Sequence, residues 1–81
     1  MLISAQIRSA RAALGWTAAD LGQAAGIAAR TVLRVEAEQD IPQTTTGTLS
    51  KIKAALEAAG IEFIGSPDDG PGIRIHRRKL Q

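Results

Sequence analysis

Cysteine is absent from this 81-residue chain. That one lack excludes disulfides, thiolate metal ligands and thiol nucleophiles, and it fits a reducing cytoplasm. Aromatic side chains are nearly absent as well, with only Trp16 and Phe63 present, so core volume must come from Leu, Ile, Val and many alanines. No apolar run approaches the roughly 20 residues of a membrane span, and no membrane partner is expected. The opening stretch MLISAQIRSARAAL has no basic segment leading into an uninterrupted apolar one, so a signal peptide is not expected. Catalytic groups are scarce too. With one histidine and no carboxylate pair spaced around a nucleophile, no reaction suggests itself, and neither an enzyme nor a catalytic residue is expected. His76 has no partner at ligand spacing, so no metal and no cofactor are expected either.

The length allows one hydrophobic core, since a second could not be built from what the first leaves over. Hydrophobic residues make up 44% of the chain, an ordinary share for a globular fold. Such a core is small and aromatic-poor. Association with a second copy would help stabilise it, and no ligand pocket is expected inside it.

Net charge is only +2, but its distribution is uneven. Residues 1–34 carry Arg8, Arg11, Arg30 and Arg34 against Asp20, a balance of +3. Residues 35–72 carry Lys51 and Lys53 against Glu36, Glu38, Asp40, Glu57, Glu62, Asp68 and Asp69, a balance of −5. The end of the chain adds Arg74, Arg77, Arg78 and Lys79. If folding brings the two basic regions together, a polyanion can read them as one surface.

Periodicity divides the chain into four helices and a hairpin. Ile7, Ala10 and Leu14 recur at helical spacing over Ser4 to Leu14, where Gly15 stops the first helix. Thr17 can cap a second helix over Ala18 to Ala25, with Asp20 reaching back and Trp16 and Leu21 forming the hydrophobic staple. Gly26 supplies its left-handed exit. A third helix over about 28–38 buries Val32 and Val35 while Arg30 and Arg34 share the opposite face. The segment DIPQTTTG reads as a surface loop. A fourth helix follows over Thr48 to Ala59, with Leu49, Ile52, Leu56 and Ala59 inward and Gly60 as the stop. Then the period changes: IEFI and GIRIH flank the turn-forming GSPDDGPG, which predicts a β-hairpin with Ile73 and Ile75 on one face and Arg74 and His76 on the other.

Two short amphipathic helices split by Ala-Gly-Ile, the second bearing two arginines, form a pattern that suits helix-turn-helix recognition of DNA. A helix fits the major groove and leads with its N-terminal residues, here Ala29, Arg30, Thr31 and Arg34. Arginine can donate two parallel bonds to guanine N7 and O6, which makes Arg30 the candidate base reader and Arg34, a turn further along, the candidate phosphate contact. The plainer reading of both is a solvated helix face. Thr17 and Gln23 are further phosphate candidates, although Thr17 serves equally as a cap. Thr44 and Thr45, with Thr46, either donate to phosphate or cap the fourth helix. Arg77 and Arg78 either follow the phosphate backbone or only solubilise the terminus. Glu36 is expected to pair with Arg8 or Arg11 and so orient the first helix. Trp16 is expected in the core rather than stacked on a base.

With those residues in view, QIRSARAALGWTAADLGQAAGIAARTVLRVEAE resembles the phage-repressor and Cro-type (Xre) helix-turn-helix family over about the first 60 residues. The matching features are Arg8, Leu21, the Ala25-Gly26-Ile27 turn, Val32, Val35 and Glu36. The resemblance implies a mainly α, lambda-repressor-like bundle of four to five helices with a small C-terminal β-hairpin. It also implies a homodimer that binds double-stranded operator DNA and regulates transcription, often by repression, in the cytoplasm at the nucleoid, with Arg8 among the DNA-binding residues. The chain departs from the family in having Ala18 where relatives commonly have glutamine, Ala28 where they cap with serine, and Glu38 where they often place glycine. Each departure removes hydrogen bonds or turn freedom from the reading unit.

These readings place a DNA-binding domain in residues 1–60 and a hairpin with basic tail, the expected dimer element, in residues 61–81. Strand pairing through Ile73 to Arg77 is the expected contact between copies, with helix-4 packing through Leu49 and Ile52 as the competing one. Either should set two recognition helices about one DNA turn, on the order of 34 Å, apart. A different class of function stays open: an antitoxin or adaptor that uses the same fold to hold a protein partner, such as a toxin or the transcription machinery, through the acidic middle.

Overall fold

The structure is a computed structural model and describes residues 2–77. Among the described residues, four helices are followed by one antiparallel hairpin: α1 (Ser4–Leu14), α2 (Ala18–Ala25), α3 (Ala29–Ala37), α4 (Thr46–Ala58), β1 (Ile61–Ser66) and β2 (Asp69–Ile75). The chain is mostly α, and both strands belong to one two-stranded sheet. Among the described residues no helix is long and apolar enough to cross a membrane.

The local signals explain the boundaries of α1 and α2. Gly15 takes φ 69° and its N–H returns to the end of α1. At α2, the Asp20 N–H donates to Thr17 Oγ1 at 3.1 Å and the Thr17 N–H donates to Asp20 Oδ2 at 2.8 Å, so two otherwise orphaned donors are satisfied reciprocally. Helix α3 is one residue shorter at each end than the 28–38 span, because Ala28 and Glu38 both adopt extended backbone and offer no side-chain cap. Helix α4 starts at Thr46 rather than Thr48. Thr45 is the capping residue, accepting from the Thr48 N–H at 3.1 Å, so the loop after Asp40 ends two residues early.

The turn between α2 and α3 depends on two glycines. Gly26 sits at φ 74°, a left-handed conformation that other residues rarely adopt. Gly22 lies where α2 meets the start of α3. A Cβ there would come within 2.7 Å of the Ile27 carbonyl oxygen and 3.3 Å of the Ala29 nitrogen, both backbone atoms. The two helices can approach this closely only because position 22 has no side chain.

One core joins all six elements. Leu2, Ile7, Ala10, Leu21, Val32, Val35, Ile52, Leu56 and Ile61 are buried together, with Trp16, Phe63 and Ile73 among the side chains packed against them. Trp16 thus covers the core as its place before the α2 cap implied. The hairpin is not a separate unit, since β2 packs on α1 and β1 on α4. Its register pairs Ile61 with Ile75 and Phe63 with Ile73. That places four apolar residues on one face, where Ile61 is buried, Phe63 and Ile73 pack against the core and Ile75 at the strand end is exposed, with Glu62 and Arg74 on the other face. Ile52 is fully buried within the single chain. It therefore cannot supply a contact between copies, and that half of the helix-4 interface is overturned; Leu49 is only half-buried.

Two buried polar residues of α1 stitch the fold together. Ser4 Oγ donates to the Val35 carbonyl at 2.6 Å, and the Ser4 N–H donates to the Asp40 carbonyl at 2.9 Å. Gln6 accepts from the Ile3 N–H at 3.0 Å through Oε1, while its Nε2 donates to the carbonyls of Gly72 at 2.9 Å and Ile64 at 3.2 Å. Those two carbonyls lie beside the irregularity in the hairpin between Ile64 and Ser66. A single amide therefore bridges both strands and fixes the hairpin against α1.

Candidate nucleic-acid interface

The arginines of the first 34 residues divide into two pairs with different surroundings. Arg11 is held by Glu36: Nε lies 2.8 Å from Oε2 and Nη2 2.8 Å from Oε1, a bidentate contact, and Nη1 donates to the Trp16 carbonyl at 2.9 Å. The Glu36 side chain is only 5% exposed and that of Arg11 25%, so the carboxylate is largely removed from water while the guanidinium reaches the surface. The hydrogen bond to Glu36 raises the Arg11 pKa above its ordinary value, against a smaller opposing effect of burial. Of the two partners left open for Glu36, its carboxylate takes Arg11. Arg8 instead donates through Nη1 to the backbone carbonyls of Glu36 and, at 3.2 Å, Glu38. It sits at the negative end of α3 and satisfies carbonyls that the helix leaves open. As a candidate DNA contact, Arg8 is thus occupied by the far end of α3, away from its leading residues.

Arg30 and Arg34 are both exposed. Among the described residues neither makes a side-chain hydrogen bond or an ion pair, in contrast to Arg8 and Arg11. Val32, Val35 and Glu36 form the buried side of α3. They turn inward and leave the two free guanidinium groups on the outer side, four residues and about one helical turn apart. Ala29 and Thr31 flank Arg30 in the first turn and are half-buried.

A second cluster forms across the loop that follows α3. Arg34, Gln43, Thr44 and Thr45 line one open depression, so folding brings together two candidate regions separated by ten residues of sequence. Thr45 is committed to its cap: besides accepting from the Thr48 N–H, its hydroxyl donates to Thr48 Oγ1 at 2.9 Å. The first N–H groups of α4 point toward this end, where the helix carries partial positive charge. Gln43 joins this cluster without any signal in the sequence. Its position in a loop next to three threonines gave no periodic signal.

The other candidates are more scattered. Thr17 and Gln23 are exposed on α2, with Thr17 engaged as the helix cap described above. Arg77 is exposed just beyond β2, on the hairpin that packs on α1 and α4; Arg78 lies outside the described residues. On the outer hairpin face Glu62 is met by two side chains, with His76 Nε2 at 2.7 Å and the Arg74 guanidinium Nη1 at 3.2 Å. The hydrogen bond to His76, followed by the charge of Arg74, holds the Glu62 carboxyl below its ordinary pKa. Arg74 is therefore partly neutralised. No group of three or more His, Asp or Glu side chains among the described residues is placed to hold a metal ion. Compared with known proteins, the chain matches no protein-family model, no curated protein and no solved structure.

Proposed function

We propose that the chain is a sequence-specific DNA-binding transcriptional regulator, a repressor before an activator, whose helices form a lambda-repressor-like helix-turn-helix unit acting at the nucleoid. Helix α3 enters the major groove, Arg30 reads a base edge, and Arg34 with Gln43, Thr44 and the start of α4 receives the phosphate backbone. The observation that carries this reading is the contrast among the arginines. Arg8 and Arg11 are held by acceptors within the fold, whereas the exposed Arg30 and Arg34 have no internal partner among the described residues.

A homodimer belongs to the same proposal, because one small module buries little surface on DNA and two linked half-sites multiply the affinity. The side chain favouring the hairpin as the contact is Ile75, 43% exposed at the end of β2.

The test is retardation of random-sequence and genomic duplex DNA by the wild-type protein and by an Arg30→Ala, Arg34→Ala variant across about 50 to 200 mM salt. The proposal expects steeply salt-dependent retardation in the wild type and its loss in the variant at unchanged thermal stability. Equal retardation by both proteins, or none by either, would sink it. The second result would move the reading to an adaptor that works through the acidic segment.

A further inference from the structure

Helix α3 carries a third outward residue of a different chemistry. Leu33 is 54% exposed, the most exposed large apolar side chain among the described residues; the others are Ile41 and Ile75, in a loop and at a strand end. With 100° of turn per residue, Leu33 stands about 60° from Arg30 around the helix axis and about 100° from Arg34. It therefore flanks Arg30 on the side away from Arg34. Its rise of about 4.5 Å beyond Arg30 is slightly more than the 3.4 Å separating successive base pairs.

Resting on the DNA-reading function above, we infer that Leu33 is a specificity-determining residue that selects thymine, through its C5-methyl group, at the base pair next to the one read by Arg30. The chemistry leaves few alternatives once α3 lies in the groove. An isobutyl group offers no donor or acceptor, so against guanine, cytosine or adenine it would strip water from polar edges without replacing the hydrogen bonds. The thymine methyl is the one apolar feature on the major-groove edge of a base pair. Covering it removes apolar surface of both partners from water, while the two arginines hold the helix in register. The exposed position also means that Leu33 is not needed by the core, so its substitution separates reading from folding.

The experiment begins by selecting bound sequences from a random duplex library with wild-type protein and with Leu33→Ala. The wild-type consensus is then resynthesised with each thymine replaced singly by uracil, which deletes only the methyl group. The expected result is one thymine per half-site, adjacent to the guanine whose selection is lost in Arg30→Ala. There uracil weakens wild-type binding about three- to tenfold, the range set by burying roughly one methyl-sized contact. The same replacement should leave Leu33→Ala unchanged, and that variant should select no base at this position. The inference is overturned if every uracil penalty is the same in the two proteins. It is equally overturned if Leu33→Ala shifts the sedimentation equilibrium toward monomer at unchanged base preference, which would make Leu33 a contact between copies. If the wild type enriches no motif at all, the DNA-reading function itself has failed, an outcome separate from loss of one thymine preference.

Discussion

Glu36 grips Arg11 with both carboxylate oxygens, at 2.8 Å each, while the same guanidinium holds the Trp16 carbonyl just ahead of α2. Three helices are thus referenced to one ion pair. Its position fixes how α3 rolls about its own axis, and so which residues α3 presents to solvent.

Removing Arg11 should leave the Glu36 carboxylate buried without a partner. Arg11→Ala is expected to cost about 3 kcal/mol, a fall of roughly 12–24 °C in Tm for a domain of this size. Glu36→Gln, which keeps the shape and removes the charge, should cost less. Thermal unfolding followed by circular dichroism measures both, and equal, negligible shifts would count against the pair as a structural anchor.

Substitutions at Arg30 and Arg34 should fail in different ways. Arg34→Ala, at a phosphate, is expected to weaken binding to all sequences alike and to reduce the slope of log affinity against log salt by about 1. Arg30→Ala, at a base edge, should relax selection of one guanine at a cost of about 1–3 kcal/mol. Salt titrations of both variants on the selected sequence and on a scrambled one distinguish these patterns.

Gln6 is expected to control the hairpin. Gln6→Leu keeps the volume and withdraws the amide from the carbonyls of Ile64 and Gly72, leaving polar groups that cost about 1–3 kcal/mol each if buried unpaired. Amide hydrogen exchange should accelerate first in Ile61 to Ile75, ahead of α2 and α3. Uniform acceleration throughout the molecule would assign Gln6 no special part in docking the strands.

Glu62 sets an acid limit on the hairpin. Its pKa is depressed in the fold, chiefly by the hydrogen bond to His76. The associated stability is therefore complete above the ordinary value of 4.5 and drains away as pH falls through the lower folded value. The carboxyl resonance should titrate with a midpoint below 4.5, and Glu62→Gln should flatten the stability profile in that acid range. The effect is small because the group is exposed to solvent.

Much of the framework was legible in the residues. The limits of α1 and α2 followed from Gly15, from the Thr17 and Asp20 pair and from Gly26, because caps are local chemistry with a fixed spacing. The hairpin followed from the change of period after Gly60. Helix α4 was placed two residues late because three consecutive threonines offer several equivalent caps, and only the folded chain selects Thr45. Gln6, a polar residue in the stripe that runs Ile3, Ile7, Ala10, is a visible anomaly in the sequence, but its role is not. Its partners are 58 and 66 residues away, beyond the reach of any local rule.

By itself, the sequence determined the limits of α1 and α2 and that Arg30 and Arg34 lie on the side of α3 opposite Val32 and Val35, since these depend on local caps and a 3.6-residue period. Tertiary structure decided which arginine Glu36 would take, that Gln6 would hold both strands of the hairpin, and that Arg34 meets the Gln43 to Thr45 loop. Those outcomes rest on how helices cross and on which polar groups are left to satisfy once they do, quantities that no single segment contains.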